Sequence, residues 1–96
     1  MFYHGTTTYF NLHKGDYILP AIETGILRES WRKKLIDKVF FTNSPLSAIK
    51  FAKKAAARFG GEPVVYMVKP CSSYYNNNTN EYIADKIIII GVTNYV

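Results

Sequence analysis

The side chains that can do chemistry here are few and lie far apart in the chain. His4 ends an apolar N-terminal run and can donate or accept a hydrogen bond. Gly5 follows it, and a residue without a Cβ lets its backbone come close to a flat ligand. Phe40 and Phe51 offer rings for stacking. Glu81 offers a carboxylate that can accept a hydroxyl hydrogen bond and stabilise positive charge developing in a transition state. Taken singly, each also fits a structural role: a hydrogen-bonded histidine at a strand end, core aromatics, a glutamate in a solvent-facing loop. For Phe41 the core is the expected place, because adjacent strand residues face opposite ways. Phe51 lies off the apolar stripe of its helix, so burial explains it less well. Other chemistries lack their parts. His4, His13 and Cys71 have no metal-ligand spacing, so no metal is expected. Gly60-Gly61 lacks the pattern of a phosphate loop, and no base is placed in sequence beside Cys71.

Composition bounds the elements that must hold these residues. Ninety-six residues make a single domain, 1–96, with one modest core. The chain is 48% hydrophobic with eight Tyr and six Phe, which suits a β-rich globular domain and argues against disorder. One cysteine excludes an internal disulfide and fits a reducing compartment. No apolar run approaches the ~20 residues of a membrane span. Met1-Phe2-Tyr3 leads straight into His4-Gly5 without the layout of a signal peptide, so a cytoplasmic location is expected. The net charge of +5 concentrates in Arg28 to Lys38 and in Lys50 to Arg58. Such a surface either attracts anions or simply keeps a small protein soluble.

Met1 to Gly5 reads as a strand, Leu12 to Asp16 as a turn, and Tyr17 to Leu19 as a second strand closed by Pro20. Glu29 to Ile36 has room for two helical turns. Val39 to Thr42 is a compact strand. A helix follows: Ser44 caps it, Pro45 opens it, and Ala48, Ile49, Ala52, Ala55, Ala56 and Phe59 recur at helical spacing until Gly60-Gly61. Val64 to Val68 is a buried strand, Ser72 to Asn80 a polar loop, and Tyr82 to Val92 returns to strand, with Asp85 in the turn before the isoleucines. The Ile87 to Ile90 run is apolar enough to be covered on both faces. An α+β domain is expected, with two small packed β-sheets and one or two helices.

Tyr3-His4-Gly5-Thr6, Val39-Phe40-Phe41-Thr42 and Asn80-Glu81-Tyr82-Ile83, in that order, resemble the NAD site of the ADP-ribosyltransferase superfamily. There a first strand ends in His-Gly-Ser/Thr, a middle strand carries an aromatic, and a late strand begins with the catalytic acid. Asn80-Glu81-Tyr82-Ile83 is similar to the motif of the poly(ADP-ribose) polymerase branch. Over most of the chain the likeness is to rifamycin ADP-ribosyltransferases. It includes Lys14-Gly15-Asp16-Tyr17-Ile18, the stretch Gly61 to Pro70, and Ile90-Gly91-Val92. The chain departs in having Phe40 where the family usually has tyrosine. It also lacks an Asp-containing stretch after Pro70, and it is shorter than either family's domain.

The resemblance implies a compact ADP-ribosyltransferase-like fold, with an NAD cleft between the sheets. In it the Gly5 backbone binds the carboxamide, His4 bonds a ribose hydroxyl, and Thr6 supports both. Phe40 and Phe51 pack on the nicotinamide, and Glu81 stabilises the cationic sugar. The implied activity is NAD-dependent mono-ADP-ribosyl transfer to an unidentified acceptor: a small molecule, a protein or a nucleic acid. The alternative is a non-catalytic module that binds or sequesters NAD or ADP-ribose-type nucleotides, or inhibits a partner protein. A third reading, a basic aromatic nucleic-acid binder, would make the three blocks a coincidence.

Overall fold

Seven antiparallel strands form one sheet in the computed structural model, which describes residues 1–20 and 38–93. In chain order they are β1 (Phe2–Thr7), β2 (Tyr17–Ile18), β3 (Val39–Thr42), β4 (Pro63–Pro70), β5 (Tyr74–Asn78), β6 (Glu81–Ala84) and β7 (Ile87–Val92). A 3-10 turn (Thr8–Phe10) follows β1, and helix α1 (Pro45–Phe59) follows β3. The strands lie in the order β2-β7-β4-β1-β3-β6-β5, so β1 is central. The helical turns expected over Glu29 to Ile36 lie outside the described residues. Among the described residues no helix is long and apolar enough to cross a membrane.

Helix α1 forms as its sequence dictates. The Ser44 hydroxyl accepts from the Ser47 N–H at 3.3 Å, and Pro45 sits at the start, where its missing N–H costs nothing. At the other end Gly60 adopts a φ of 93°, which only glycine takes cheaply, and its N–H bonds the Ala56 carbonyl at 2.9 Å. The alanines at helical spacing give the helix a flat side. Ala48 and Ala52 are fully buried there against Val65 of β4.

Alternation along the strands separates two faces. One face lies under α1 and carries Tyr3, Gly5 and Val65. The other carries the main core: Ile18, Val39, Phe41, Tyr66, Val68, Ala84, Ile87 and Ile89. The rings of Phe2, Phe41, Tyr74 and Tyr82 pack together on that side, with centroids 5.0–5.9 Å apart. This core draws on strands from both ends of the sheet, so the sheet curls over its own inner face. Ile87 and Ile89 are buried while Ile88 and Ile90 are half-buried, so the isoleucine run is sealed on one face and only partly covered on the other.

Three further expectations change. Instead of two sheets the described residues form one, because a single residue pair, Tyr3↔Thr42, joins β1 to β3. By contrast β1 pairs β4 over six residues, Phe2 to Thr7. The expected polar loop Ser72 to Asn80 contains β5, an edge strand paired to β6. The single long strand from Tyr82 is two strands, β6 and β7, with Asp85 at the turn between them, where it accepts from Lys38 at 2.6 Å.

Candidate functional site

The junction of β1 and β3 is where the sequence blocks meet. Hydrogen bonding around Val65 fixes how Gly5 is presented there. The Val65 carbonyl accepts from the Thr93 N–H at 3.0 Å, so Val65 turns its polar backbone away from β1. Antiparallel pairs alternate between hydrogen-bonded and non-hydrogen-bonded, so Gly5, opposite Val65, turns its own N–H and C=O toward β3. Yet the β1–β3 ladder consists of Tyr3↔Thr42, and Gly5 stands two residues past it. The regular ladder thus ends before Gly5, and the stretch of β1 and β3 just beyond it is the seam.

His4 spans the seam. Its Nδ1 lies 2.7 Å from the Phe40 carbonyl on β3. A carbonyl only accepts, so Nδ1 carries the proton and Nε2 keeps its lone pair in the neutral ring. Burial pushes the imidazole below its ordinary value of 6.5, and the hydrogen bond to Phe40 offsets only part of that. The ring is therefore neutral near pH 7.

This neutral ring has a consequence for stability. The unfolded chain binds the His4 proton more tightly than the folded one does. The contribution of the site is complete above pH 6.5 and is lost as pH falls from there toward the depressed folded value. The urea midpoint should drop more between pH 7 and pH 5 in the native protein than in His4→Gln. Equal slopes for the two proteins would contradict the assignment.

Around the seam, β3 and β6 place the remaining residues. Phe40 faces Ile83 and Thr42 faces Glu81 across the ladder, and these four share the α1 side of the sheet with Tyr3. Phe40 and Glu81 are thus diagonal neighbours, a spacing of roughly 7–8 Å. The buried Thr42 hydroxyl donates to the carbonyl of Asn80, the residue before Glu81, and accepts from the Ser44 N–H at 3.0 Å. One side chain thereby ties together the end of β3, the start of α1 and the approach to β6. Glu81 is half-buried, and its Oε1 accepts from Asn77 Nδ2 at 2.9 Å.

The structure does not gather all the expected residues at one point. His4 leaves β1 on the face of Phe2 and Thr6, opposite to the face of Phe40 and Glu81, and reaches β3 through the Phe40 backbone. Thr6 is buried on that same face. Phe51 is 39% exposed on α1, beside a shallow depression with Ser47, Lys50 and Lys54. Gly5 has a structural reason of its own. A Cβ there would stand 1.9 Å from the Ala48 carbonyl oxygen of α1.

No protein-family model matches the chain, and no curated protein matches it. Thr42 and Asn77 join the candidate site only through their contacts in the structure. Thr42 is the last residue of the aromatic block Val39-Phe40-Phe41-Thr42, which is the sequence signal for it. Asn77 gave no signal, since it lies in an asparagine run with no apolar alternation.

Proposed function

We propose that the seam between β1 and β3 binds NAD or a related ADP-ribose-type nucleotide, and that the chain transfers ADP-ribose to an acceptor. The observation that carries this reading is the end of the β1–β3 ladder after one residue pair, with the Gly5 backbone edge turned toward β3 and His4 reaching the Phe40 carbonyl across the two strands. A flat carboxamide needs one donor and one acceptor side by side, and a strand residue carries both on one edge. In this reaction the bond between the ribose C1′ and the nicotinamide nitrogen breaks. Nicotinamide leaves with the electron pair, and an acceptor nucleophile adds at C1′ and gives up its proton. Glu81 supplies the negative charge that favours the oxocarbenium-like sugar. The resemblance in His4-Gly5-Thr6 and Asn80-Glu81-Tyr82-Ile83 supports the same roles. The acceptor is a small molecule, a protein or a nucleic acid.

A second reading, binding without turnover, is favoured by one observation: His4 and Glu81 leave their strands on opposite faces of the sheet. Nicotinamide release from NAD separates the two. Release with label transfer into lysate supports the transferase, and tight binding with no release supports the sequestering module.

Phe40 tests the aromatic part of the site. It is half-buried rather than sealed in the core. Phe40→Tyr should keep the fold and give equal or higher turnover. Phe40→Ala should lose stacking worth about 0.5–1.5 kcal/mol beyond buried area, so its NAD affinity should fall by at least about twofold. Melting curves recorded beside the binding isotherms distinguish a lost contact from a lost fold. If Phe40→Tyr unfolds the protein, the ring is plain core and leaves the site.

A further inference from the structure

The β5–β6 hairpin contains an irregularity at the point where it meets Glu81. Asn76 pairs with Tyr82 and Asn78 pairs with Glu81, so the register shifts and Asn77 is the extra residue of a bulge. A bulge bends its strand and re-aims a side chain that regular pairing would send elsewhere. Here two consecutive asparagines converge on one residue. Asn76 Nδ2 donates to the Glu81 backbone carbonyl at 3.3 Å, and Asn77 Nδ2 donates to the Glu81 carboxylate at 2.9 Å.

We propose that Asn77, aimed by the bulge, is a positioning residue that sets the direction of the Glu81 carboxylate for the transfer reaction; this rests on the proposed ADP-ribosyltransferase reading. A glutamate has three side-chain torsions, and all three must be set for its carboxylate to point one way. One donated hydrogen bond fixes the carboxylate plane, and a carboxylate with about four lone-pair sites retains capacity for a ligand hydroxyl. Preorganised charge is what stabilises a developing cation, because no reorganisation is then needed during the reaction. The competing account of the bulge is protection of an exposed edge strand against pairing with other chains. Edge protection requires the backbone bulge, whereas positioning requires a donor on residue 77.

Steady-state nicotinamide release and NAD binding in the native protein, Asn77→Ala and Asn77→Asp, measured from pH 5 to pH 8, distinguish the two. Asn77→Ala should lower kcat about tenfold with KM for NAD within about twofold, a loss confined to the transition state. Asn77→Asp keeps the shape but sets two carboxylates against each other at neutral pH. On acidification they share a proton and the donor is restored. Its activity relative to the native protein should therefore rise at least severalfold from pH 7.5 to pH 5.5, while that of Asn77→Ala stays flat. An Asn77→Ala protein with native kcat, or the two variants showing the same pH dependence, overturns the positioning role while leaving the transferase reading intact. A native protein that does not cleave NAD, whether or not it binds it, overturns the transferase reading, and the positioning role falls with it.

Discussion

Gly5→Ala is expected to push α1 off the sheet and remove much of the protein's stability. The added Cβ would lie 1.9 Å from the Ala48 carbonyl oxygen and 2.8 Å from both the Ala48 carbonyl carbon and the Ala52 nitrogen. All three are helix backbone, so no side chain can rotate away. The helix must move bodily, and Ala48, Ala52 and Val65, now at 0% exposure, would lose their packing together. Overpacking costs about 1–3 kcal/mol where neighbours can adjust, and more where they cannot. A loss of about 3 kcal/mol corresponds to at least ~12 °C in Tm for a domain of this size. Gly15→Ala is the control. Its φ of 93° makes alanine strained, but nothing lies within 4 Å of the new Cβ, so the core is untouched. Thermal melts should show Gly5→Ala far below Gly15→Ala. A Gly5→Ala melt within ~4 °C of the native protein, under 1 kcal/mol by the same scaling, would mean that α1 does not sit on β1 as described. Loss of NAD binding in Gly5→Ala therefore reports the helix before it reports the seam.

Glu81→Gln should have the largest effect on turnover with almost none on the fold. Glutamine has the same length, and its amide oxygen can still accept from Asn77. What disappears is the negative charge. Removing one group that stabilises transition-state charge costs ~10²–10³ in rate, so nicotinamide release should fall at least about a hundredfold. NAD binding should stay within about tenfold, because the carboxylate acts mainly on charge that develops during the reaction. His4→Ala should weaken binding as well, since its ring is expected to contact the ground-state ribose. Unchanged release by Glu81→Gln would remove Glu81 from the chemistry and, with it, the strongest element of the resemblance.

Parts of this fold are written locally and were readable. Ser44-Pro45, the spaced alanines and Gly60-Gly61 specify α1 almost to the residue, because capping and periodicity are properties of adjacent residues. Val39 to Thr42 is β3 for the same reason. What escaped depends on distant partners. β5 is a strand only because β6 lies beside it; its Tyr-Tyr-Asn-Asn-Asn sequence has neither alternation nor a second covered face. One sheet or two turns on a single pair, Tyr3↔Thr42, whose members lie 39 residues apart. Alternation places His4 opposite Gly5 in facing, but which face receives α1 is decided by the Gly5–Ala48 approach, which no local pattern records. The candidate site follows the same division. The residue types of His4, Gly5, Phe40 and Glu81 were legible. The bulge that turns Asn77 onto Glu81 is a tertiary feature.

The central claim is that the seam at Gly5 is where a NAD-type ligand binds. Amide-resolved NMR during an NAD titration tests it most directly. Binding at the seam should move the Gly5 amide first, together with the His4 ring and the amides of Phe40 and Glu81, at a shared dissociation constant. Saturable shifts confined to Lys50, Lys53, Lys54 and Arg58 on α1, with Gly5 and His4 unmoved, would show the ligand held by the basic helix alone and would contradict the claim.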